Sequence, residues 1–222
     1  YPDVPAHVFI NTSVIAKAPK EYFWAGVGDG ISKAPEVEHA VAAAVERGVE
    51  LPHTAVLGAA IAASSKDAFY KYGEQGIKDV ENGTVSKAIE EVALDIVVST
   101  GYASNLVNQD DFYYNSCHAH AFYNATTAIK KEKEPLHGQV VSFGVMVLHA
   151  YFNELEELKK VAVFNKKLGL PVTLEEIGLK VSDAEKITEL AMQTNEYKQT
   201  PFDKEKYIEA IKLADKMGSE NA

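Results

Sequence analysis

One strand stands alone in an otherwise helical pattern. Residues 7–16, HVFINTSVIA, are rich in β-branched and aromatic side chains and read as a short strand followed by an extended segment. No other stretch carries a comparable signal. A lone strand cannot make a sheet, because its N–H and C=O groups need partners. The sequence therefore asks for a partner from another chain or from a further part of this one. Pro2, Pro5 and Pro19 break up the surrounding region. From Phe23 onward the periodicity is helical, which puts the bulk of the chain in the all-α class.

The helices can be followed by their ends. Val37 to Val49 forms one, closing at or just past Gly48. Thr54 to Val80 reads as a long helix that is apolar all round in its first half, so that half is expected to be buried. Asn82-Gly83 stops it. Ser86 opens a helix to Ser99, and Gly101 interrupts the pattern before Leu106. Residues 113–131 are helical, Lys133-Glu134-Pro135 turns the chain, and another helix runs from His137 to Tyr151. Asn153 is the expected cap of the next helix, which Gly169 closes ahead of Pro171. Thr173 to Glu176 and Ser182 to Glu185 have the form of capping boxes. Asp203 is the expected cap of the last helix. The sum is about eight helices in one bundle-like domain, residues 21–222, after a strand-and-linker segment, residues 1–20.

Composition narrows the function. An apolar fraction of 46% supports a real core, and a net charge of −10 argues against a nucleic-acid partner. The densest basic patch, Lys130, Lys131 and Lys133, is interleaved with Glu132 and Glu134 and reads as a solvated turn. No apolar stretch reaches the roughly 18 residues of a membrane helix. No charged-then-apolar leader is present, so a cytoplasmic location is expected. The single cysteine, Cys117, makes no intrachain disulfide. His118 and His120 nearby leave a nucleophilic role open, and a packed cysteine is the ordinary reading.

Of seven histidines, His7, His39, His53 and His149 read as structural. His120 and His137 are different. Each lies in a helical stretch, with the Pro135 turn between them, and an antiparallel hairpin can bring two such side chains to one point. His118 competes with His120, since positions two apart on a helix face different ways. Ahead of them, Ala25-Gly26-Val27-Gly28-Asp29-Gly30 sets an aspartate among three glycines. Lys33 stands where a dinucleotide fingerprint would have its last glycine, so that reading is rejected. Asp29, His120 and His137 together would supply one carboxylate oxygen and two imidazole nitrogens, a set that suits Zn²⁺ with an open position or non-haem Fe²⁺. The other reading is a capping aspartate and two structural histidines.

Four segments carry a resemblance that covers nearly the whole chain. They are INTSVIAKAPKEYFWAGVGDGISK at 10–33, HAFYNATTAI at 120–129, PLHGQVVSFGVMVL at 135–148 and LGLPVTLEEIGL at 168–179. In this order they resemble glycerol dehydrogenase and the wider iron-containing or zinc-dependent polyol dehydrogenase superfamily. The resemblance implies the multi-helix C-terminal domain of the dehydroquinate synthase-like fold, with the short strand left from an absent α/β half that binds NAD. It implies that Asp29, His120 and His137 bind the metal and carry catalysis, and that a small polyol is the substrate. It adds a second copy of the chain as a candidate partner. Three departures stand out. The stretch before His120, QDDFYYNSCHA at 109–119, is bulkier than the family's, which puts the substrate pocket in doubt. Ala125 replaces a usual glycine. Pro35 is expected to break a usually continuous helix.

The leading expectation is a metal-dependent oxidoreductase domain that passes hydride to NAD when joined to its nucleotide-binding half. One alternative is a non-catalytic helical metal-binding or interaction module. Another is an enzyme similar to the sn-glycerol-1-phosphate dehydrogenases, with Lys33 meeting a phosphate, or to the dehydroquinate synthase lyases.

Overall fold

The computed structural model describes residues 5–109 and 112–220. Residues 1–4 of the expected strand-and-linker segment, and Asp110 and Asp111 of the bulky stretch, lie outside them. The all-α class holds. Among the described residues the regular structure is helical, with one isolated bridge between Asn108 and Tyr113.

The N-terminal strand is not formed. Residues 7–11 carry no regular structure, and Thr12–Ile15 make one helical turn, α1, in which Asn11 Oδ1 accepts from the Ser13 N–H. β-branched residues favour a strand only where a neighbouring strand supplies ladder and side-chain partners. Phe9 is instead 93% exposed.

Two helices follow, α2 (Lys20–Gly30) and α3 (Lys33–Glu46), with a break at Ile31-Ser32. The break stands one turn ahead of Pro35, which has no N–H for the Ile31 carbonyl, so the helix is interrupted as expected and Pro35 itself lies in the first turn of α3. The long helix α4 (His53–Glu81) ends at Gly83, whose φ is +63°. It buries one stripe, from Ala55 through Gly58, Ala62, Phe69 and Gly73 to Val80. Val56 and Leu57 are exposed, so its first half is not buried all round. Alanine is a helix former on any face, and a run of it mimics burial.

Ser86 caps α5 (Lys87–Leu94), which runs through a π-helical turn (Asp95–Ser99) into α6 (Thr100–Val107). The irregularity is this wide turn; Gly101 lies inside α6. The next helix, α7, covers only His118–Thr127. Residues 113–117 were expected to be helical, but Phe112 and Tyr114 turn inward and pack with Val37, Ala40 and Val107 in a second core. Burial of two aromatic rings outweighs local propensity there.

The central helix is α8 (His137–Tyr151). Every residue from Val140 to Tyr151 is buried, because α7, α2, α12 and α9 surround it. His149 is the expected core histidine, bonded to Glu154 at 2.6 Å. Glu154, not Asn153, precedes α9 (Leu155–Leu168); Asn153 takes a left-handed φ of 59°. Gly169 closes α9 as expected. The Thr173–Glu176 capping box forms on a short 3-10 turn. The second box does not; a 3-10 turn intervenes at Val181–Asp183, and Asp183 accepts from the Lys180 N–H instead. The chain ends in α10 (Ala184–Ala191), α11 (Asn195–Gln199) and α12 (Lys204–Glu220), the last capped by Asp203 at 2.8 Å. No helix among the described residues is long and apolar enough to cross a membrane.

Candidate metal centre

Two backbone contacts assemble the site. At the first, α2 crosses α8 with glycine against glycine: a Cβ at Gly138 would overlap the Ala25 carbonyl, and one at Gly28 would overlap the Gly138 carbonyl. At the second, α7 meets α8 where a Cβ at Gly144 would lie 2.5 Å from the Ala119 carbonyl oxygen. Each contact has a candidate ligand beside it in sequence. Asp29 follows Gly28, His137 precedes Gly138, and His120 follows Ala119. Close helix approach thus converts three distant sequence positions into one cluster.

One ligand atom from each of Asp29, His120 and His137 lies within 4.8 Å of the others. Asp29 Oδ1 is the hub, 3.0 Å from His137 Nε2 and 3.5 Å from His120 Nε2. A tetrahedral ion with bonds of roughly 2.1 Å separates its ligand atoms by about 3.4 Å, so the spacing fits a small transition-metal ion. The donor set of one carboxylate and two imidazoles fits as well. Tyr123 stands edge-on to the His137 ring at 4.2 Å.

The electrostatics are those of a coupled cluster. Burial works to raise the Asp29 carboxyl, but hydrogen bonds and charge from His120 and His137 outweigh it and hold it well below the usual carboxylate range. Burial is the largest single influence, and only the two imidazoles acting together exceed it. Burial works to lower His120, yet Glu36 and Asp29 push it up to about 10.

Glu36 is the residue the sequence reading missed. It is fully buried, and its Oε2 lies 2.5 Å from His120 Nδ1. Burial opposes its charge, but His120 and the N–H groups of His120 and Cys117 hold it below its ordinary value. Seven residues separate Glu36 from Asp29, but the Ile31-Ser32 break lies between them, and its role comes from the meeting of α3 with the start of α7, which no local pattern shows.

The other candidates disperse. His118 turns away from Asp29 into a nest of Tyr151, Phe152 and Phe202, with ring centroids 4.7, 5.0 and 5.4 Å away. Burial pulls it down to about 3. Cys117 is buried, and burial together with the charge of Glu36 pushes its thiol well up, which removes the nucleophile reading. Lys33 is buried and donates to the Asn115 carbonyl at 3.1 Å and to its side-chain oxygen at 2.7 Å. Two of its three ammonium donors are therefore used within the protein. The bulk of the stretch before His120 goes largely into the second core through Phe112 and Tyr114. The basic patch borders a cavity of about 870 Å³ between residues 130–139 and 173–181, with Glu132, Glu175 and Asp215 also on its walls.

No family model matches the chain. Individual proteins do. Glycerol dehydrogenase of Citrobacter freundii is 31% identical over 198 residues, which is 87% of this chain and 51% of that protein. The solved structure of glycerol dehydrogenase from Schizosaccharomyces pombe superposes with a TM-score of 0.79 at 26% identity, over 96% of this chain and 55% of that one. In sequence and in helical fold the chain is similar to part of the glycerol dehydrogenases. Hydroxycarboxylate dehydrogenase A of Escherichia coli (strain K12) is a further relative, 26% identical over 87% of this chain and 52% of its own length. This glycerol dehydrogenase-like domain spans about half the length of the curated relatives it matches.

Proposed function

We propose that the chain is the metal-binding domain of a cytoplasmic, metal- and NAD-dependent oxidoreductase acting on a small glycerol-like polyol. Asp29, His120 and His137 are its metal ligands, zinc being the leading ion and ferrous iron the alternative. The observation that carries this reading is the convergence of the three side chains on Asp29 Oδ1 at metal-ligand spacing. The bound ion would supply a Lewis acid beside the substrate hydroxyl.

The chain's own residues do the rest of the positioning. Asp29 and His137, each about 40% exposed, form the open rim on which a diol can sit. Half-buried His120 forms the floor. The Tyr123 ring limits the swing of His137. No group of this chain is assigned to the dinucleotide; in this reading NAD is the hydride acceptor and is held by a separate nucleotide-binding half. Residues 1–20 belong to the connection with that half and residues 21–222 to the metal domain. The exposed, unpaired segment around Phe9 accords with such a connection. Its strand would form only against that partner. The phosphorylated-polyol alternative loses its main support with Lys33 bonded to Asn115.

The test is elemental analysis of wild type and His137→Ala purified without added metal. About one zinc or iron per wild-type chain, absent from the variant, is expected for a three-ligand site. No metal in either protein after soaking with zinc would overturn the reading in favour of a non-catalytic module.

A further inference from the structure

We infer that Glu36 is the positioning residue of the metal centre, holding the His120 ring by Nδ1 so that Nε2 is the nitrogen offered to a metal beside Asp29, in place of its proton. The inference rests on the metal reading above. A fully buried carboxylate is costly unless it is paired and hydrogen-bonded, so its two oxygens should each have a use. They have different ones. Oε1 accepts from the Cys117 N–H at 2.8 Å and the His120 N–H at 3.0 Å. Those are free donors at the start of α7, where Cys117 offers no side-chain cap of its own. A carboxylate there also meets the positive end of the helix. Glu36 thereby ties α3 to α7 and sets how far His120 stands from Asp29.

Oε2 does something a cap does not require. It contacts His120 Nδ1 at 2.5 Å. An imidazole whose Nδ1 proton is held by a carboxylate presents an unprotonated and more basic Nε2 to a metal. The orientation matches, since it is Nε2 that faces Asp29. His137 is held differently: its Nε2 contacts Asp29 directly, and it is 42% exposed. The site therefore pairs one preset imidazole with one adaptable imidazole, and Glu36 makes the difference.

Glu36→Gln separates the two uses. The amide keeps the shape and an oxygen for the two α7 N–H groups, but it sets an NH₂ donor against Nδ1. That favours the other tautomer, with the proton on the nitrogen the metal needs. The experiment is zinc affinity of the full chain by competition with a chromophoric chelator, for wild type, Glu36→Gln and Glu36→Asp. It is read beside metal-free melting curves and the ¹⁵N shifts of the His120 ring. Glu36→Gln is expected to bind zinc roughly 10–100-fold more weakly. In the zinc-loaded proteins the His120 Nδ1 shift should move in Glu36→Gln, because its proton no longer meets a carboxylate, and the metal-free melting curves report the lost ion pair separately. If wild type binds and Glu36→Gln binds equally well, Glu36 is only a helix cap and the inference falls alone. If wild type itself binds no zinc, the metal reading falls and takes the inference with it. Should Glu36→Gln fail to fold, Glu36→Asp decides, because it keeps the charge but is one methylene too short to serve both positions: weaker zinc binding supports the inference and unchanged binding overturns it.

Discussion

Two buried carboxylates show how differently the two sides of this molecule are built. Glu36, on the site side, has hydrogen bonds on both oxygens. Asp95, in the π-helical turn between α5 and α6, is also buried, but its Oδ2 has no hydrogen-bond partner. The contrast extends to the backbone. Around the site, α2, α7 and α8 touch through glycines with no room for a single added carbon. Beside Asp95, Leu94, Val97 and Tyr102 are exposed, and a Cβ at Gly101 would meet open space. A site that needs ligand atoms held to fractions of an ångström demands satisfied charges and fixed helix spacing. Asp95 serves no such demand; unpartnered buried polar atoms occur on both sides, His118 Nδ1 and Nε2 among them, but none belongs to the three ligand candidates or to Glu36.

A pair of glycine variants should break or uphold this contrast with the largest effect. Gly138→Ala forces α8 off the Ala25 carbonyl, and overpacking at a backbone contact costs roughly 3 kcal/mol or more. It should also abolish stoichiometric zinc binding, since His137 is the adjacent residue. Gly101→Ala should instead stabilise by about 0.5–1 kcal/mol through helix propensity, with zinc binding unchanged. Urea titration and metal analysis of both proteins check this. Equal destabilisation by the two changes would refute the idea of one tight side and one tolerant side.

Asp95 sharpens the comparison through pH. Burial raises its carboxyl to about 6, a hydrogen bond from Ser99 opposes the rise, and the charge of Asp67 adds to it. The unfolded chain releases the same proton near 3.8. The folded state thus binds the proton more tightly, so this group favours folding at low pH and loses that contribution as pH rises through about 6. Asp95→Asn removes the ionisation. It should gain on the order of 1–2 kcal/mol at pH 7 and almost nothing at pH 3.5, measured by denaturant unfolding at the two pH values. An equal gain at both would mean that Asp95 ionises in the fold without cost.

What could be read from the sequence divides along the same line. The all-α class, the long α4, the start of α8 at His137 and the three ligand candidates were legible, because periodicity, breakers and family motifs are local signals. The glycines that press α2 and α7 onto α8 were visible as letters but not as contacts. Glu36 was hidden because its meaning depends on α3 meeting the start of α7, a relation between positions more than eighty residues apart. The expected helix over 113–117 failed for a related reason: Phe112 and Tyr114 answer to a core built by α3 and α6. The strand at 7–16 failed because its propensity has no partner to act on.

Two expected helix caps give the smallest and most local test. Asp203 is a true cap, its Oδ1 accepting from the Lys206 N–H. Asn153 was read the same way, yet the structure uses it for its tolerance of the left-handed region, at φ 59°, in the turn that leads into α9. The two roles rank substitutions differently. Serine is as good a cap as asparagine, whereas in the left-handed region it is strained and glycine is at ease. Asn153→Ser should therefore cost on the order of 1 kcal/mol and Asn153→Gly nothing or less. At Asp203 serine should be nearly neutral and alanine should cost about 1 kcal/mol. Thermal melting of the four variants reads both orders. If serine were harmless at both positions, Asn153 would be a cap after all, and the turn between α8 and α9 would owe its shape to the His149–Glu154 bond rather than to its backbone.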